Sequence, residues 1–350
     1  METEKKVRVA INGFGRIGRA FFKLAHTHYP QLDIVAINDL GNVENLAYLL
    51  EFDTAQGISH FEIELGENEL IVDGTHIAFI QERDPSKLPW GEMDIDIVVE
   101  STGFFTHYDK AKAHLDAGAK HVLISAPGKG DAPEGITVGT ILMGVNDYLL
   151  EEKEYHITSN GSCTTNATSP LIAILNETIG IKKALLNTTH AYTATQAIVD
   201  GPSRGSDFRK GRAAAQNIVP TSTGAAKAVT KAITELEGKF DGIACRVPVV
   251  AGSIADVTFL AERETSVEEV NDILRKAAES AKWEGIFAVS KDPIVSSDIV
   301  GSTHASIADL PMTRVVDGDF VKVMAWYDNE MGYTNALVCH ALRVAESRKF

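Results

Sequence analysis

The stretch VRVAINGFGRIGRAFFKLA (residues 7–25) decides the fold of the first half of the chain. An apolar strand pattern runs into a loop with Gly13, Gly15 and Gly18, and a helical pattern follows. In such a loop the first glycine permits a tight turn, the second lets the backbone approach a pyrophosphate, and the third lets the helix pack on the strand. The helix N-terminus then faces the phosphates. This order predicts a dinucleotide-binding unit.

A second strand pattern at residues 33–38 leads into Asp39, about 20 residues beyond the last glycine of the loop. A carboxylate at this distance is expected to bind the ribose of the dinucleotide. It favours NAD over NADP, because it would repel a 2′-phosphate. The alternative interpretation is a plain turn beside a solvated aspartate.

Strand and helix patterns alternate through the rest of the first half. This alternation indicates an α/β fold whose N-terminal domain is a Rossmann, doubly wound parallel sheet. The elements expected are strands at residues 95–100, 122–125, 136–145 and 156–159, helices at 42–52 and 108–117, and a hairpin around Asp73 and Gly74.

Small polar residues stand at the carboxyl ends of two of these strands. Ser101 and Thr102 follow the strand at 95–100, and Ser125 ends the strand at 122–125. An open α/β sheet binds its ligand at this edge. The same residue types are equally common as ordinary turn formers, so both interpretations stay open.

The second half is dominated by strand patterns in hairpin or meander order. We therefore expect a C-terminal α+β domain with a mostly antiparallel sheet and helices on one face. The expected division is residues 1–162 for the first domain and 163–332 for the second, with a helix at 333–350 packing back on the first.

Composition and charge exclude several classes of protein. The chain has 350 residues, of which 44% are hydrophobic, and it carries a formal net charge of −15. That charge argues against general nucleic-acid or membrane-surface binding. Its three widely spaced cysteines form neither a disulfide framework nor a zinc pattern. With no signal-peptide layout and no apolar run of membrane-spanning length, we expect a cytoplasmic protein.

The stretch SNGSCTTN (residues 159–166) holds a candidate nucleophile, Cys163, just before an apolar helical pattern. Asn160 and Ser162 are helix-capping types, so Cys163 is expected at a helix N-terminus, which favours thiolate over thiol. Pro170 falls in the second turn and is expected to kink the helix or restart it. The alternative is a small buried hydrophobe, the commoner fate of a free cysteine.

His190 is the best general-base candidate among 11 histidines, because it ends a strand pattern among threonines and a tyrosine. The alternative is a structural histidine. The sequence does not establish that His190 meets the cysteine.

Basic residues in the second half could meet an anionic ligand. The segment 194–221 has little apolar periodicity and carries Arg204, Arg209, Lys210 and Arg212 around the acid Asp207. A solvated loop or a subunit contact is about as consistent with these residues as anion binding. Two further candidates are the helix N-terminus opened by Thr223 and Gly224, and Arg246, which needs an anionic partner if it is buried.

These features fit one reaction class. A cysteine adds to an aldehyde, the adduct passes hydride to a nicotinamide, and a second nucleophile resolves the thioester. A histidine is needed to take the thiol proton and to support the oxyanion.

Four motifs together resemble phosphorylating glyceraldehyde-3-phosphate dehydrogenase, and the resemblance covers essentially the whole chain. They are NGFGRIGR at residues 12–19, SNGSCTTN at 159–166, HAYT at 190–193 and WYDNE at 326–330. The resemblance implies that Cys163 is the nucleophile and His190 the base. It also implies a small phosphorylated aldehyde and inorganic phosphate as substrates, and a homotetramer whose interface is crossed by the loop at 193–212.

The resemblance further implies ligand contacts. Asn329 would bond the nicotinamide carboxamide, with Tyr333 packing nearby. The remaining NAD positions are Asn12, Gly13, Gly15, Arg16, Ile17, Gly18, Asp39, Arg83, Ser101, Thr102 and Ser125. Positions matching the substrate and inorganic phosphate sites are Ser162, Thr164, Thr193, Thr223, Gly224 and Arg246, with Arg212 as a further candidate.

Two positions depart from the family pattern. Gly161 stands where the family usually has alanine, and a glycine is expected to make the helix end less rigid. The run RKGR at residues 209–212 replaces a more arginine-rich run in a slightly longer loop. A lysine there supplies charge but lacks the bidentate fork of arginine.

Two rival functions remain at this stage. One is erythrose-4-phosphate dehydrogenase, in which water resolves the thioester, although Thr193 and the Thr223–Gly224 pair favour phosphate. The other is a non-catalytic, NAD-sensing regulator that keeps the fold, although the cysteine motif is complete.

Overall fold

The computed structural model describes residues 6–203 and 206–350, which form two compact units. The N-terminal unit comprises the described residues up to Ile141, together with Asp147–Gly161 and Leu337–Phe350. The C-terminal unit comprises Leu142–Asn146 and the described part of Ser162–Ala336. In the described ranges no helix is long and apolar enough to span a membrane.

A nine-stranded sheet forms the centre of the N-terminal unit, in the order β3-β4-β5-β2-β1-β6-β7-β9-β8. The ladders are parallel except β3–β4 and β4–β5, and β4–β5 is the hairpin predicted around Asp73 and Gly74. The strands are β1 (Val7–Asn12), β2 (Leu32–Asn38), β3 (Ile63–Gly66), β4 (Glu69–Val72), β5 (Thr75–Ile80), β6 (Ile97–Glu100), β7 (His121–Ile124), β8 (Val138–Thr140) and β9 (Ile157–Ser159). The prediction of a doubly wound parallel sheet is confirmed.

Helices connect the parallel strands of this unit. They are α1 (Arg16–His28), α2 (Val43–Glu51), α3 (Tyr108–Asp116) and the single turn α4 (Leu149–Glu152). Strands β6 and β7 are buried at every residue, which places the core along them. Strand β1 pairs in parallel with both β2 and β6. Their last residues Asn12, Asn38 and Glu100 therefore lie at the same edge of the sheet. The predicted strand at 136–145 is shorter than expected, since only Val138–Thr140 pairs with β9.

The C-terminal unit contains an eight-stranded sheet in the order β11-β12-β10-β13-β17-β15-β14, with β16 paired to β17. Only the β10–β12 and β14–β15 ladders among the described strands are parallel, so the prediction of a mostly antiparallel sheet is confirmed. The strands are β10 (Ile181–Ala191), β11 (Val219–Ser222), β12 (Phe240–Val247), β13 (Ser253–Ala261), β14 (Phe287–Ser290), β15 (Ser306–Asp309), β16 (Arg314–Val316) and β17 (Phe320–Tyr327).

Helix α5 (Cys163–Thr178) is the central helix of this unit and packs on β13, β15 and β17. Helices α6 (Ala225–Ala232) and α7 (Val267–Ala278) pack on α5, and α8 (Met331–Arg348) closes the chain. Pro170 was expected to kink α5 or restart it, and the restart does not occur, because one helix runs through Pro170. Every residue from 164 to 175 is buried, and this tertiary packing outweighs the local cost of one missing N–H donor.

Candidate active site

Cys163 is the first residue of α5, and the turn before it sets its position. Gly161 has a φ of 66°, a conformation that residues with a Cβ rarely adopt. Ser162 is the N-cap, and its Oγ accepts a hydrogen bond of 3.1 Å from the backbone N–H of Thr165. Gly161 therefore fits the turn without strain, whereas an alanine there would have to adopt a positive φ.

His190 lies next to the cysteine in the C-terminal unit. It is the penultimate residue of β10, it is 3% exposed, and its Nε2 is 3.2 Å from the Sγ of Cys163. The two side chains are within hydrogen-bonding distance although 27 positions separate them. A nucleophile and a base at this distance form the core of a nucleophilic active site.

Burial controls the charge of this pair. Loss of solvation raises the pKa of the Cys163 thiol, while the Arg246 guanidinium opposes this rise. Burial, followed by the nearby charge of Arg246, lowers the pKa of His190 to about 3. Desolvation thus acts against the thiolate that the helix N-terminus is predicted to favour, whereas the charge of Arg246 acts for it. Because its pKa is lowered to about 3, the imidazole of His190 is unprotonated at neutral pH and can accept a proton.

The tautomer of His190 decides which imidazole nitrogen faces the sulfur as an acceptor, and Nδ1 has two competing neighbours: the Ala191 carbonyl, which accepts, and Nη1 of Arg246, which only donates. Nδ1 of His190 lies 2.7 Å from the carbonyl oxygen of Ala191. When Nδ1 carries the proton and donates it to that carbonyl, Nε2 presents its lone pair to Cys163. A general base needs this tautomer.

Arg246 brings a positive charge to the same place. Strands β10 and β12 are parallel, with His190 and Arg246 in register. Nη1 of Arg246 lies 2.6 Å from Nδ1 of His190 and donates a 3.1 Å hydrogen bond to the carbonyl of Ala191. Arg246 is thus a predicted phosphate residue from a neighbouring strand that the structure brings next to His190.

Tyr327, the last residue of β17, ties the two catalytic segments together. Its buried hydroxyl lies 3.0 Å from Oγ1 of Thr164 and 2.7 Å from Oγ1 of Thr188. Its ring packs edge-on against the His190 ring, with 5.8 Å between centroids. Tyr327 lies in the WYDNE motif, but the sequence indicates no role for it, because its partners lie 139 and 163 positions away.

Asn329, also in the C-terminal unit, has its amide held at one end. Its Oδ1 accepts hydrogen bonds of 3.1 Å from the N–H of Gly252 and the hydroxyl of Ser253. This leaves the Nδ2 end of the amide as the donor toward a ligand. Tyr333, on α8, is 4% exposed.

The other predicted phosphate residues are more dispersed. Thr223 caps the start of α6, where its Oγ1 accepts from the N–H of Ala225 at 3.2 Å, and Gly224 is the N-cap. Oγ1 of Thr193 lies 3.0 Å from Oγ1 of Thr195.

The basic loop is held by acids of its own. Nε of Arg212 donates to Asp200 at 2.9 Å on the surface. Arg209 is likewise paired with Asp207. Arg204 lies outside the described residues.

The carboxyl edge of the N-terminal sheet borders a cavity of about 630 Å³. This volume is within the usual range for small-molecule and cofactor sites. Seven of the predicted NAD residues line it: Asn12, Gly13, Gly15, Asp39, Arg83, Ser101 and Thr102. Arg16, Ile17, Gly18 and Ser125 are not part of this lining, and Arg16 forms a 2.9 Å ion pair with Asp53.

The residues of this cavity fit a dinucleotide. Gly13 has a φ of 97°, and a Cβ there would collide with the backbone of Thr102. Asp39 accepts hydrogen bonds from the N–H of Phe14 at 2.6 Å and of Gly41 at 2.8 Å, which fix its carboxylate beside the glycine loop. A narrow glycine turn next to an oriented carboxylate is what a pyrophosphate and a ribose require.

Comparison with known proteins decides the family. Residues 7–108 match the family described as "Glyceraldehyde 3-phosphate dehydrogenase, NAD binding domain", and residues 162–329 match its C-terminal domain. The chain belongs to the glyceraldehyde-3-phosphate dehydrogenase family. Its cofactor is NAD, in agreement with the prediction from the glycine loop and Asp39.

Individual relatives match over nearly their whole length. The chain is 47% identical to glyceraldehyde-3-phosphate dehydrogenase of Geobacillus stearothermophilus over 339 residues, which is 97% of this chain and 98% of the relative. It is 47% identical to the enzyme of Streptomyces coelicolor, covering 95% and 96% of the two chains. Glyceraldehyde-3-phosphate dehydrogenase 1 of Bacillus subtilis is 46% identical over 97% and 98%.

Sequence reasoning missed several residues of the dinucleotide cavity in this family member. Asn38 carries a readable signal, since it ends β2 directly before Asp39. The aromatic residues at 104 and 105 and Lys110 carry none, because they approach the cavity only through the turn after β6 and the start of α3. The additional lining residues are Asn38, Leu40, Glu82, Pro85, Phe104, Phe105 and Lys110.

Proposed function

We propose that this chain oxidises D-glyceraldehyde 3-phosphate to 1,3-bisphosphoglycerate, using NAD and inorganic phosphate, in glycolysis or gluconeogenesis. The observation that carries the proposal is the 3.2 Å separation of Cys163 Sγ and His190 Nε2, in a chain of this family. Erythrose 4-phosphate is the second candidate substrate, with water in place of phosphate.

The first step uses the cysteine–histidine pair. The Cys163 sulfur attacks the aldehyde carbon, the thiol proton moves to Nε2 of His190, and the C=O bond opens to an oxyanion. The imidazolium lies beside this oxyanion, stabilises it and then protonates it to the hydroxyl of a hemithioacetal. Because the pKa of His190 is low in the ligand-free protein, proton return is strongly favoured.

In the second step His190 acts as base again. When bound, NAD supplies the carbon that accepts a hydride from the substrate. As the hydride leaves the hemithioacetal carbon, Nε2 takes the hydroxyl proton and the C=O bond re-forms as a thioester on Cys163. Asp39 and the glycine loop would hold the dinucleotide, and Asn329 would orient its carboxamide.

The third step releases the product. An oxygen of inorganic phosphate attacks the thioester carbon, the C–S bond breaks, and Cys163 leaves as a thiolate that His190 reprotonates. Arg246, next to His190, attracts an anion to this position. Ser162, Thr164, Thr193, Thr223 and Gly224 would supply hydroxyl and backbone donors to the two phosphate groups, whereas Arg212 would first have to leave Asp200.

The test is NADH formation from each aldehyde with and without inorganic phosphate. The proposal requires turnover of glyceraldehyde 3-phosphate that depends on phosphate. Phosphate-independent turnover of erythrose 4-phosphate would assign the second function, and the absence of turnover with either aldehyde would favour a regulator.

We propose in addition that the protein is a cytoplasmic homotetramer and that the two units are its NAD-binding and catalytic domains. The sheet face opposite α5 exposes Leu185, Ile243 and Phe320, and the loop before β11 exposes Ile198 and Phe208. Apolar surface of this extent supports a protein–protein interface. Light scattering after gel filtration would give the mass directly, and a monomer of 37.8 kDa would contradict the proposal.

A further inference from the structure

A buried carboxylate lies at the carboxyl end of β6, at the edge that borders the dinucleotide cavity. Glu100 is 1% exposed and accepts hydrogen bonds at both oxygens. Oε1 accepts from the N–H of Thr102 at 2.9 Å and from its hydroxyl at 2.5 Å. Oε2 lies 2.5 Å from Nδ2 of Asn12 and 3.1 Å from Nε2 of His114. Since this arrangement uses Glu100 only as an acceptor, it suits the ionised form.

Two of these partners line the cavity and are predicted NAD residues. Asn12 and Glu100 are in register on neighbouring parallel strands. The carbonyl end of the Asn12 amide accepts from Nδ2 of Asn38 at 2.7 Å, while its nitrogen end donates to Glu100. Glu100 therefore fixes the orientation of Asn12 and the position of Thr102 at the same time.

The carboxylate is itself held from the protein interior. His114, on α3, is fully buried, and Nε1 of Trp90 donates to its Nδ1 at 3.0 Å. An indole nitrogen can only donate, so Nδ1 must be the acceptor. Nε2 of neutral His114 then carries the hydrogen and donates it to Glu100. Trp90 thus selects the His114 tautomer that supports the carboxylate.

We propose that Glu100, backed by His114 and Trp90, is a positioning residue for NAD that acts through Asn12 and Thr102. Three of its four hydrogen bonds go to residues that line the cavity, rather than to residues of the core. A charged acceptor also binds its donors about twice as strongly as a neutral one, which limits their movement. The inference rests on the assignment of this cavity to NAD and is independent of which aldehyde is oxidised.

The first test is Glu100→Gln, which keeps the shape but places an NH₂ group where only acceptors fit. We expect the Kd for NADH, measured by fluorescence quenching, to rise about tenfold, the effect of losing one hydrogen bond to a charged group. KM for NAD should rise by a similar factor, with a smaller effect on kcat. Glu64→Gln, an exposed carboxylate on β3, is the matched control and should leave the Kd unchanged. A folded Glu100→Gln protein whose Kd stays within twofold of wild type would overturn the proposal.

A double-mutant cycle separates positioning from a general structural effect. If Glu100 acts through Thr102, then Glu100→Gln should weaken NADH binding less in a Thr102→Val background than in wild type. Fully independent effects of the two substitutions would contradict the assignment. The alkylation rate of Cys163 serves as a readout outside the dinucleotide site, and a parallel loss of that rate would indicate global damage rather than positioning.

A pair of variants at His114 keeps the proposal testable if Glu100→Gln does not fold. Gln at this position can donate to Glu100 and accept from Trp90, whereas Leu can do neither. We expect His114→Leu to raise the Kd for NADH and His114→Gln to restore it toward wild type. Equal Kd values for the two variants, whether weak or tight, would refute a role through hydrogen bonding. If the wild-type protein does not oxidise the aldehyde, the proposed function is refuted, whereas the NADH-binding results still test this inference.

Discussion

Replacing His190 by asparagine tests the chemistry at the cysteine most directly. The substitution keeps a polar side chain at the end of β10 but removes the ring nitrogen that lies 3.2 Å from the Cys163 sulfur. Because the pKa of His190 is low, the variant loses an unprotonated nitrogen that can accept the thiol proton. Cys163 then reacts only through the thiolate that forms spontaneously in water.

The size of the effect follows from the pKa of the thiol. A free cysteine with a pKa of about 8.5 is about 3% thiolate at pH 7. Burial raises the pKa of Cys163 above its ordinary value, so the reactive fraction is smaller still. Loss of a positioned general base typically costs about 10²- to 10⁴-fold in rate, or about 2.7–5.4 kcal/mol of barrier. We expect His190→Asn to lower kcat/KM by such a factor at pH 7.

The pH dependence separates this explanation from simple damage. Since the pKa of His190 is about 3, the wild-type histidine is already unprotonated across neutral pH. The alkylation rate of Cys163 in wild type should therefore vary weakly from pH 6 to 8. In the variant the rate should rise about tenfold per pH unit, because it follows the thiolate fraction.

Iodoacetamide labelling, read by mass spectrometry of the Cys163 peptide, measures both profiles. Cys339 is an internal reference, since burial raises the pKa of its thiol to about 11. His76→Asn, at an exposed histidine, is the matched control. Equal slopes for wild type and His190→Asn would show that His190 does not take the proton.

Three further predictions concern other parts of the chain. Asp39→Ala should raise KM for NAD about tenfold and reduce the preference for NAD over NADP. An unchanged ratio of KM for NADP to KM for NAD would contradict a ribose contact. Tyr327→Phe keeps the ring against His190 but removes the hydroxyl that contacts Thr164 and Thr188, so we expect kcat to fall about tenfold without unfolding. Tyr148→Phe, at an exposed tyrosine, is the control and should leave kcat unchanged. Equal kcat values for Tyr327→Phe and wild type would refute the positioning role. Burial lowers the pKa of His121 well below its usual range and that of His340 to about 3. Below pH 6.5 the unfolded state therefore binds more protons than the folded state, and the free energy of unfolding should fall as the pH drops. Each buried histidine of this kind adds about 1.4 kcal/mol per pH unit to the slope in urea unfolding, and His340→Gln should lower the slope by about that amount.

Local signals in the sequence predicted much of the fold. Asp73 and Gly74 both have positive φ, the conformation that an Asp-Gly hairpin turn requires, and β4 and β5 pair around them. Ser162 is the N-cap of α5, as its type and position indicated. In these places neighbouring residues alone determine the conformation, which is why a linear pattern was sufficient.

Contacts between distant segments were beyond such patterns. The thiolate of Cys163 was predicted from its helix terminus alone, whereas desolvation by surrounding elements, which raises the thiol pKa, carries no local signal. Pro170 was expected to kink α5 or restart it, yet burial of residues 164–175 accompanies one continuous helix. Arg212 was a candidate phosphate residue by position, but it forms an ion pair with Asp200 on the surface. Each difference arises from solvent exclusion or pairing that only the folded chain defines.

The cysteine–histidine site and the dinucleotide cavity are both positioned by a buried polar side chain. Tyr327 and Glu100 are buried polar groups, and a buried polar group is costly unless its hydrogen bonds are made. Apolar side chains of similar size would often serve stability equally well or better. Stability alone therefore does not explain why a hydroxyl contacts the residues flanking the cysteine–histidine pair, or why a carboxylate contacts residues lining the dinucleotide cavity. Directional bonds fix where Thr164, Thr188, Asn12 and Thr102 lie, and such precision is what a hydride transfer between a held thiohemiacetal and a held cofactor requires.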